Sequence, residues 1–360
     1  ACPGLGRMNP SLLRKQTVMN PFKASSWWMC ALSALCITAA VPGQAADAPA
    51  ALTRAPLAPG LYELAYSEKQ DALYVASAGD RGEGAVPASI FKLHPATLAV
   101  QAEIALAHGG YGLALDDAAQ RLYVGHAMDA AITVIDLAAN QVTGVVRLAS
   151  KVHGPGFDGQ PTERYPHSLR ELVVDPVRHR LYAPGAWFTG SALYVVDTRR
   201  LQVEKIIPGF GFLATGIALD AAKARVVVSN LQGQLFSVDA QSLAVTKVEA
   251  GGDQLLNLAV DPARHRVWAT DQGLAMIDAM RSEQGGLKDY ARRGAGHRVV
   301  ALDPATGLMQ ASLPTQAGPV ALLLDAVRQR LYVTNREAGT LSVFDSVQRT
   351  LLQTIDLPPH

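Results

Sequence analysis

Apolar residues in this chain come in short bursts that alternate with polar turns, without the 3.6-residue period of a helix. One pattern recurs: an apolar run ending in Asp, a brief turn, then a second apolar run. It reads YGLALDDAAQRLYVGH, LRELVVDPVRHRLYAP, ATGIALDAAKARVVVS, LNLAVDPARHRVWAT and PVALLLDAVRQRLYVTN, with the Asp at 116, 175, 220, 261 and 325. An earlier copy, LYELAYSEKQDALYVAS, has Ser67 in the Asp place, which makes six copies. A third run ending in Asp follows each pair, as in ITVIDL, LYVVDT, LFSVDA and LSVFDS, and then a fourth such as VTGVVRLA or LLQTIDL. The first and second Asp are 20, 22, 19 and 20 residues apart in the copies beginning at Asp116, Asp175, Asp220 and Asp325.

Four short strands per unit, repeated without intervening helices, describe an all-β protein, a β-propeller of four-stranded blades that bury both faces against their neighbours. The blades are expected at about 60–108, 109–150, 167–211, 212–252, 253–315 and 316–360. The recurrent Asp is read as structural, since an Asp at a strand end accepts hydrogen bonds from the N–H groups of the following turn.

The segments LYVTNREAGTLSVFDS, GLYELAYSEKQDALYVAS and TGIALDAAKARVVVSNLQGQL resemble the YVTN-type β-propeller repeat family, and within it the YncE-like exported propellers. The resemblance covers residues 58–360 and implies seven blades, of which six are visible here. The expectation is therefore that the C-terminal blade is missing from this chain, with a six-bladed ring closing through residues 52–57 as the alternative.

The N-terminal region differs in character. Lys23 follows Met19, an apolar run extends from Trp27 to Val41, and Gly43-Gln44-Ala45 places small residues where a signal peptidase reads them. A signal peptide starting at Met19 and cleaved after Ala45 is expected, with an Ala/Pro-rich linker at 46–59; a membrane anchor is the other reading of the apolar run. Cys2, Cys30 and Cys36 all precede the cut, so the exported chain would carry no thiol. Residues 1–45 hold four basic and no acidic residues, leaving 28 Lys plus Arg against 31 Asp plus Glu. A chain of that balance does not coat nucleic acid by bulk charge, so such binding would need a local patch. The expected setting is the periplasm or the exterior, as a monomer with no stable membrane insertion after cleavage.

Loop lengths then separate the two faces of the disc. The turns joining strands A to B and C to D are short and uniform. The long connections, at 79–88, 150–167, 184–190 and 271–297, all fall in D to A or B to C positions. The last reflects an interval of 42 residues from Asp261 to Asp303, with LAMID as strand C the alternative register. Loops on a rigid scaffold are where binding residues gather. Candidate ligand-binding residues on this face are Arg164, Tyr165, His167, Arg170, Trp187, Phe188, Asn335 and Arg336, with an insertion patch of Lys288, Tyr290, Arg292 and Arg293. Cations mixed with aromatics suit a protein or peptide partner, an envelope protein above all. They also suit single-stranded nucleic acid, with rings stacked on bases. On this reading, alanine at Trp187 and Arg170 reduces binding and leaves the melting temperature unchanged.

No GxSxG, HExxH, paired-Cys or CxxCH pattern and no glycine-rich phosphate loop is present. No catalytic residue, metal or cofactor is therefore assigned, and a cofactor-dependent redox enzyme is the outlying reading. A metal site formed by His126, His167 and His297 at the channel mouth is a weaker alternative to simple packing.

Overall fold

The computed structural model describes residues 54–357 apart from 81, 83, 157, 158, 189 and 274–292. The expected signal peptide, most of the linker, and Lys288, Tyr290 and Arg292 lie outside the described residues. Among those described, no helix is long and apolar enough to cross a membrane.

Six antiparallel sheets follow one another, and within each the spatial order of strands A to D is their order in the chain. Blade three departs slightly. Its inner strand is split into Ser168–Leu169 and Val173–Asp175, both paired with Arg180–Ala186, and the preceding loop forms a hairpin of Val152–Pro155 with Pro161–Arg164. In blade five the third strand is Arg298–Leu302, so the extra residues fall between strands B and C.

The blade cores are shared between neighbours. Tyr182 and Leu193 of blade three pack with Ile217, Val228 and Phe236 of blade four, and Trp268 of blade five with Leu331 and Phe344 of blade six. Blades two to five therefore bury two apolar faces each, and their strands B and C are apolar on both sides.

The recurrent Asp caps its turn in most copies. Asp116 Oδ1 accepts from Ala119 N, Asp175 Oδ1 from Val177 N and Arg178 N, Asp325 Oδ1 from Arg328 N, and Asp345 Oδ1 from Val347 N and Gln348 N. Ser67 Oγ takes the same role for Gln70 N. Asp261 makes no such cap; its carboxylate holds Arg266 at 2.9 Å instead. The fourth residue after the Asp is left-handed in every copy: Gln120, His179, Ala224, His265 and Gln329 all have φ between 49° and 56°.

A second repeated device links the blades. The residue five after the Asp is Arg in five copies. Arg121 of blade two donates to Thr198 O of blade three, Arg180 of blade three to Ala240 O of blade four, and Arg266 of blade five to Ser346 O of blade six. In blade one Gln70 substitutes, donating to Leu137 O of blade two at 2.9 Å. Arg330 of blade six instead turns back to Arg328 O, Gln329 O and Asp345 of its own blade. The flanking surfaces agree: Leu323 of blade six and Leu64 of blade one are 64% and 61% exposed, whereas Leu122, Leu181 and Trp268 between them are fully buried. The described residues thus form six blades with an apolar seam between the last and the first.

The left-handed turn position yields a first prediction. A β-carbon at positive φ is strained, so Ala224→Gly is expected to stabilise the protein by about 0.5 kcal/mol, with a small rise in Tm checked by calorimetry.

Candidate functional site

The A strands line the central axis, and most of them carry a bulge there, between Leu61 and Leu64, Ala214 and Gly216, Leu255 and Leu258, and Pro319 and Leu322. The bulges free backbone N–H groups that the ladder would otherwise use. Counting back four from the repeat Asp, or from Ser67, gives Glu63, Gly112, Glu171, Gly216, Asn257 and Ala321. This position builds a polar hub. Arg170 donates to Tyr62 Oη at 2.8 Å, Asn257 Oδ1 at 2.9 Å, Leu256 O at 3.3 Å and Glu171 Oε1 at 3.1 Å. Glu63 Oε2 accepts from Leu113 N at 2.8 Å, and Glu171 accepts from Ile217 N and Asn257. Side chains from blades one, three and five therefore meet backbone from blades two, four and five. The glycines make this approach close: a β-carbon at Gly112 would lie 2.4 Å from Arg170 O.

Two carboxylates lie near one guanidinium: Glu171 is paired with Arg170 at 3.1 Å, and Glu63 feels its charge through space. Glu171 is buried and Glu63 half-buried by area, but the surrounding chain is dense enough to desolvate both. Burial, reinforced for Glu63 by the Glu171 charge, pushes their pKa up, to about 8 for Glu63 and about 7 for Glu171. The two titrate as one system. Tyr62 is raised too, chiefly by burial.

The candidate loop residues separate into packed and exposed. Trp187 is only 8% exposed; the Arg164 guanidinium lies 3.4 Å from its ring centroid and Phe188 meets it edge-on at 5.3 Å. Arg164 is itself held by Pro155 O, Tyr165 O and Pro166 O, and Phe188 leans on Phe212. His167 bonds Tyr194 Oη at 2.7 Å and Gly190 O at 2.9 Å. Asn335 is buried among Thr315, Thr340 and Ser342. Arg293 pairs with Glu249 at 2.6 Å and approaches Asp253. Arg336 is exposed on the loop face. Arg170, grouped by sequence with the loop, belongs to the hub instead. The three histidines do not converge. His126 bonds Gly109 O and Thr133, His297 accepts from Gly318 N, and no group of three metal-ligating side chains exists among the described residues.

Tyr165 remains on a working surface. It stands at one end of a groove of about 710 Å³ between the outer strands of blades two and three, Gln141–Arg147 and Gln202–Pro208. Val145, Leu148, Leu201 and Val203 line it with Arg147 and Lys151. Arg147 donates to Tyr165 Oη at 3.1 Å and Lys151 lies 5.9 Å from its ring. Each outer strand pairs on one side only, so two free edges face the groove.

Sequence reasoning missed Tyr62, Glu63, Glu171 and Asn257. The available signal was the repeat register, where Glu63, Glu171 and Asn257 stand at a position that is Gly or Ala in the other copies. It missed the groove because β-strand edges carry no signature residue.

Six radial four-stranded sheets around a polar axis make the chain a β-propeller protein. Among solved structures it is similar to the β-propeller domain of Cps50 (Swd1) from Myceliophteria thermophila, with a TM-score of 0.60 over 86% of this chain and 90% of that one; at 10% identity the likeness is one of fold. In sequence it is similar to YncE of Salmonella typhimurium, 28% identical over 84% of this chain and 78% of the relative, and to YncE of Escherichia coli K12, 28% identical over 71% and 70%. These relatives support a YncE-like propeller protein. No family model matches the chain.

Two predictions follow from the packing and the hub charges. Replacing Arg170 by Ala strands the buried Glu171 carboxyl and removes the bonds to Tyr62, Leu256 and Asn257, and is expected to cost about 3 kcal/mol, and Trp187→Ala a similar amount through cavity formation. Both should therefore lower Tm in thermal melts, contrary to the expectation from sequence. The raised carboxyls also set a pH dependence. The unfolded chain releases their protons near 4.5 and the folded chain holds them until about 7 and 8, so the hub's stabilisation is full below 4.5 and declines as pH rises through this window. Glu63→Gln is expected to flatten the fall of Tm between about pH 5 and about pH 9; an unchanged slope would assign the protons elsewhere.

Proposed function

We propose that this protein is an exported, non-catalytic binding scaffold that takes an extended segment of a protein or peptide partner into the groove between blades two and three. The observation that carries it is the groove itself: two outer strands with a free edge flank a mixed lining in which Val145, Leu201 and Val203 stand beside Arg147, Lys151 and Tyr165. A peptide docking there adds main-chain hydrogen bonds to a free edge, while aromatic and cationic side chains anchor it. Export rests on the Met19–Ala45 segment, and the periplasm or cell exterior is the proposed location, with the protein acting as a monomer. No catalytic residue or cofactor is part of the proposal.

Single-stranded nucleic acid is the second reading, favoured by exposed Arg336 and the Lys151–Tyr165 pair. It ranks below because base stacking requires open ring faces, and Trp187 has Arg164 on its face. The proposal also retains a seventh blade, seated at the seam where Leu64 and Leu323 face solvent and Arg330 reaches no neighbour; a crystal structure of the protein as encoded in its genome would count the blades.

The discriminating experiment pans a random peptide library on the folded protein and measures the enriched peptides by fluorescence anisotropy across a salt series. Tyr165→Ala and Val145→Asp are expected to weaken peptide binding at least tenfold without lowering Tm. Enrichment of no groove-dependent peptide, together with oligonucleotide binding that falls steeply with salt, would replace this reading by the second.

A further inference from the structure

A separate recess lies on the long-loop face between blades one and two. It is a cleft of about 400 Å³, within the size range of small-ligand sites. Asp80 and Val86 from the B to C loop of blade one form one side; His108, Tyr111, Met128 and Asp129 form the other. Unlike the hub, it opens to solvent, and unlike the groove it offers no strand edge.

Its polar groups are held in place. His108 Nδ1 is 3.3 Å from Asp129 Oδ1, both about two-thirds buried. That contact places the proton of a neutral ring on Nδ1, which leaves the Nε2 lone pair as an acceptor. Behind it, the His108 ring meets His126 edge-on at 5.4 Å. His126 is fully buried and fixed at both nitrogens, by Gly109 O at 2.9 Å and Thr133 Oγ1 at 2.7 Å. Burial pushes its pKa down, so it backs the site as a neutral, immobile ring. Across the cleft, Asp80 Oδ1 accepts from Val86 N, which fixes that carboxylate and leaves its other oxygen without a partner among the described residues. Tyr111 is braced edge-on by Tyr62 at 5.1 Å, and the Met128 side chain is 48% exposed.

Acceptors therefore outnumber donors, and no Lys or Arg appears among the described lining residues. A ligand that satisfies such walls brings N–H donors and positive charge at one end and a short alkyl stem at the other. We propose that this cleft binds the ammonium end of an organic amine. The Asp129–His108 pair and Asp80 accept its hydrogen bonds, while Met128 and the Tyr111 ring enclose the methylenes. A free diamine and a lysine side chain present the same chemistry. A metal ion fits less well, because no three ligating side chains converge among the described residues.

The test titrates the whole protein calorimetrically with cadaverine and, separately, with Nα-acetyl-lysine amide, using 1-pentanol as the uncharged control. Saturable binding of at least one amine is expected, at least tenfold weaker in Asp129→Asn and abolished in Met128→Lys, whose own ammonium fills the site, while Tyr165→Ala leaves it unchanged. Binding of both amines assigns the site to lysine side chains as well as free amines, and binding of cadaverine alone to free diamines. The proposal is overturned if neither amine binds at millimolar concentration, if Asp129→Asn binds as well as the parent, or if pentanol binds equally. Melting curves of the three variants confirm that each is folded before titration.

Discussion

The structure depends on the contact of each blade with the next, which a crossing hydrogen bond marks at four of the five described junctions: Gln70, Arg121, Arg180 and Arg266 each donate to the following blade. At the junction of blades four and five Ser237 Oγ donates to Pro304 O instead of Arg225, which pairs with Asp220 of its own blade. A propeller blade is too thin to hold a core alone, so its stability lies in the surfaces it shares, and shared surfaces need a register. Here a guanidinium at the start of strand B reaches the carbonyl that follows the Asp in the next blade's C to D turn, as Arg121, Arg180 and Arg266 do. Burial of Leu122, Tyr182 and Trp268 supplies the energy, and the crossing bond sets how the blades meet. At Arg330 the guanidinium stays within its own blade and Leu323 beside it is exposed, whereas at Arg225, which likewise stays within its blade, the junction is buried through Val227, Leu235, Val267 and Val300.

The two ends of the A strands carry opposite electrostatics. At the turn end, Asp325 accepts hydrogen bonds from the Arg328 backbone and side chain, which hold its carboxyl below the usual range, and its contribution fades as pH falls. At the axis, Glu63 and Glu171 lose more in desolvation than Arg170 returns, and their contribution fades as pH rises. Stability is thus bounded on both sides by carboxylates whose surroundings differ.

Function, in the reading offered above, uses what the repeat leaves unfinished. Among the described residues the outer strands have no partner beyond them, and the long loops gather on one face. The 150–167 loop folds into a hairpin that plants Arg164 on Trp187 and sets Tyr165 at the groove. The residues that looked most like a stacking platform therefore became scaffold. The cleft at His108 and Asp129 arises similarly, from the loops of adjacent blades.

The chain pattern alone determined the strands, their grouping in fours, the capping role of the Asp, and which face bears the long loops, because each follows from local periodicity and turn chemistry. It did not place Arg170, which lies eighty-six residues from Leu256 in sequence and 3.3 Å from its carbonyl in space. Nor did it tell that Trp187 would be covered, or that Glu63 and Glu171 would come near one guanidinium. Such facts depend on how blades converge on an axis, and convergence is a property of long-range packing. Sequence spacing records which residues share a strand; only the arrangement of sheets about the axis decides which side chains from different strands meet, and how much water remains between them.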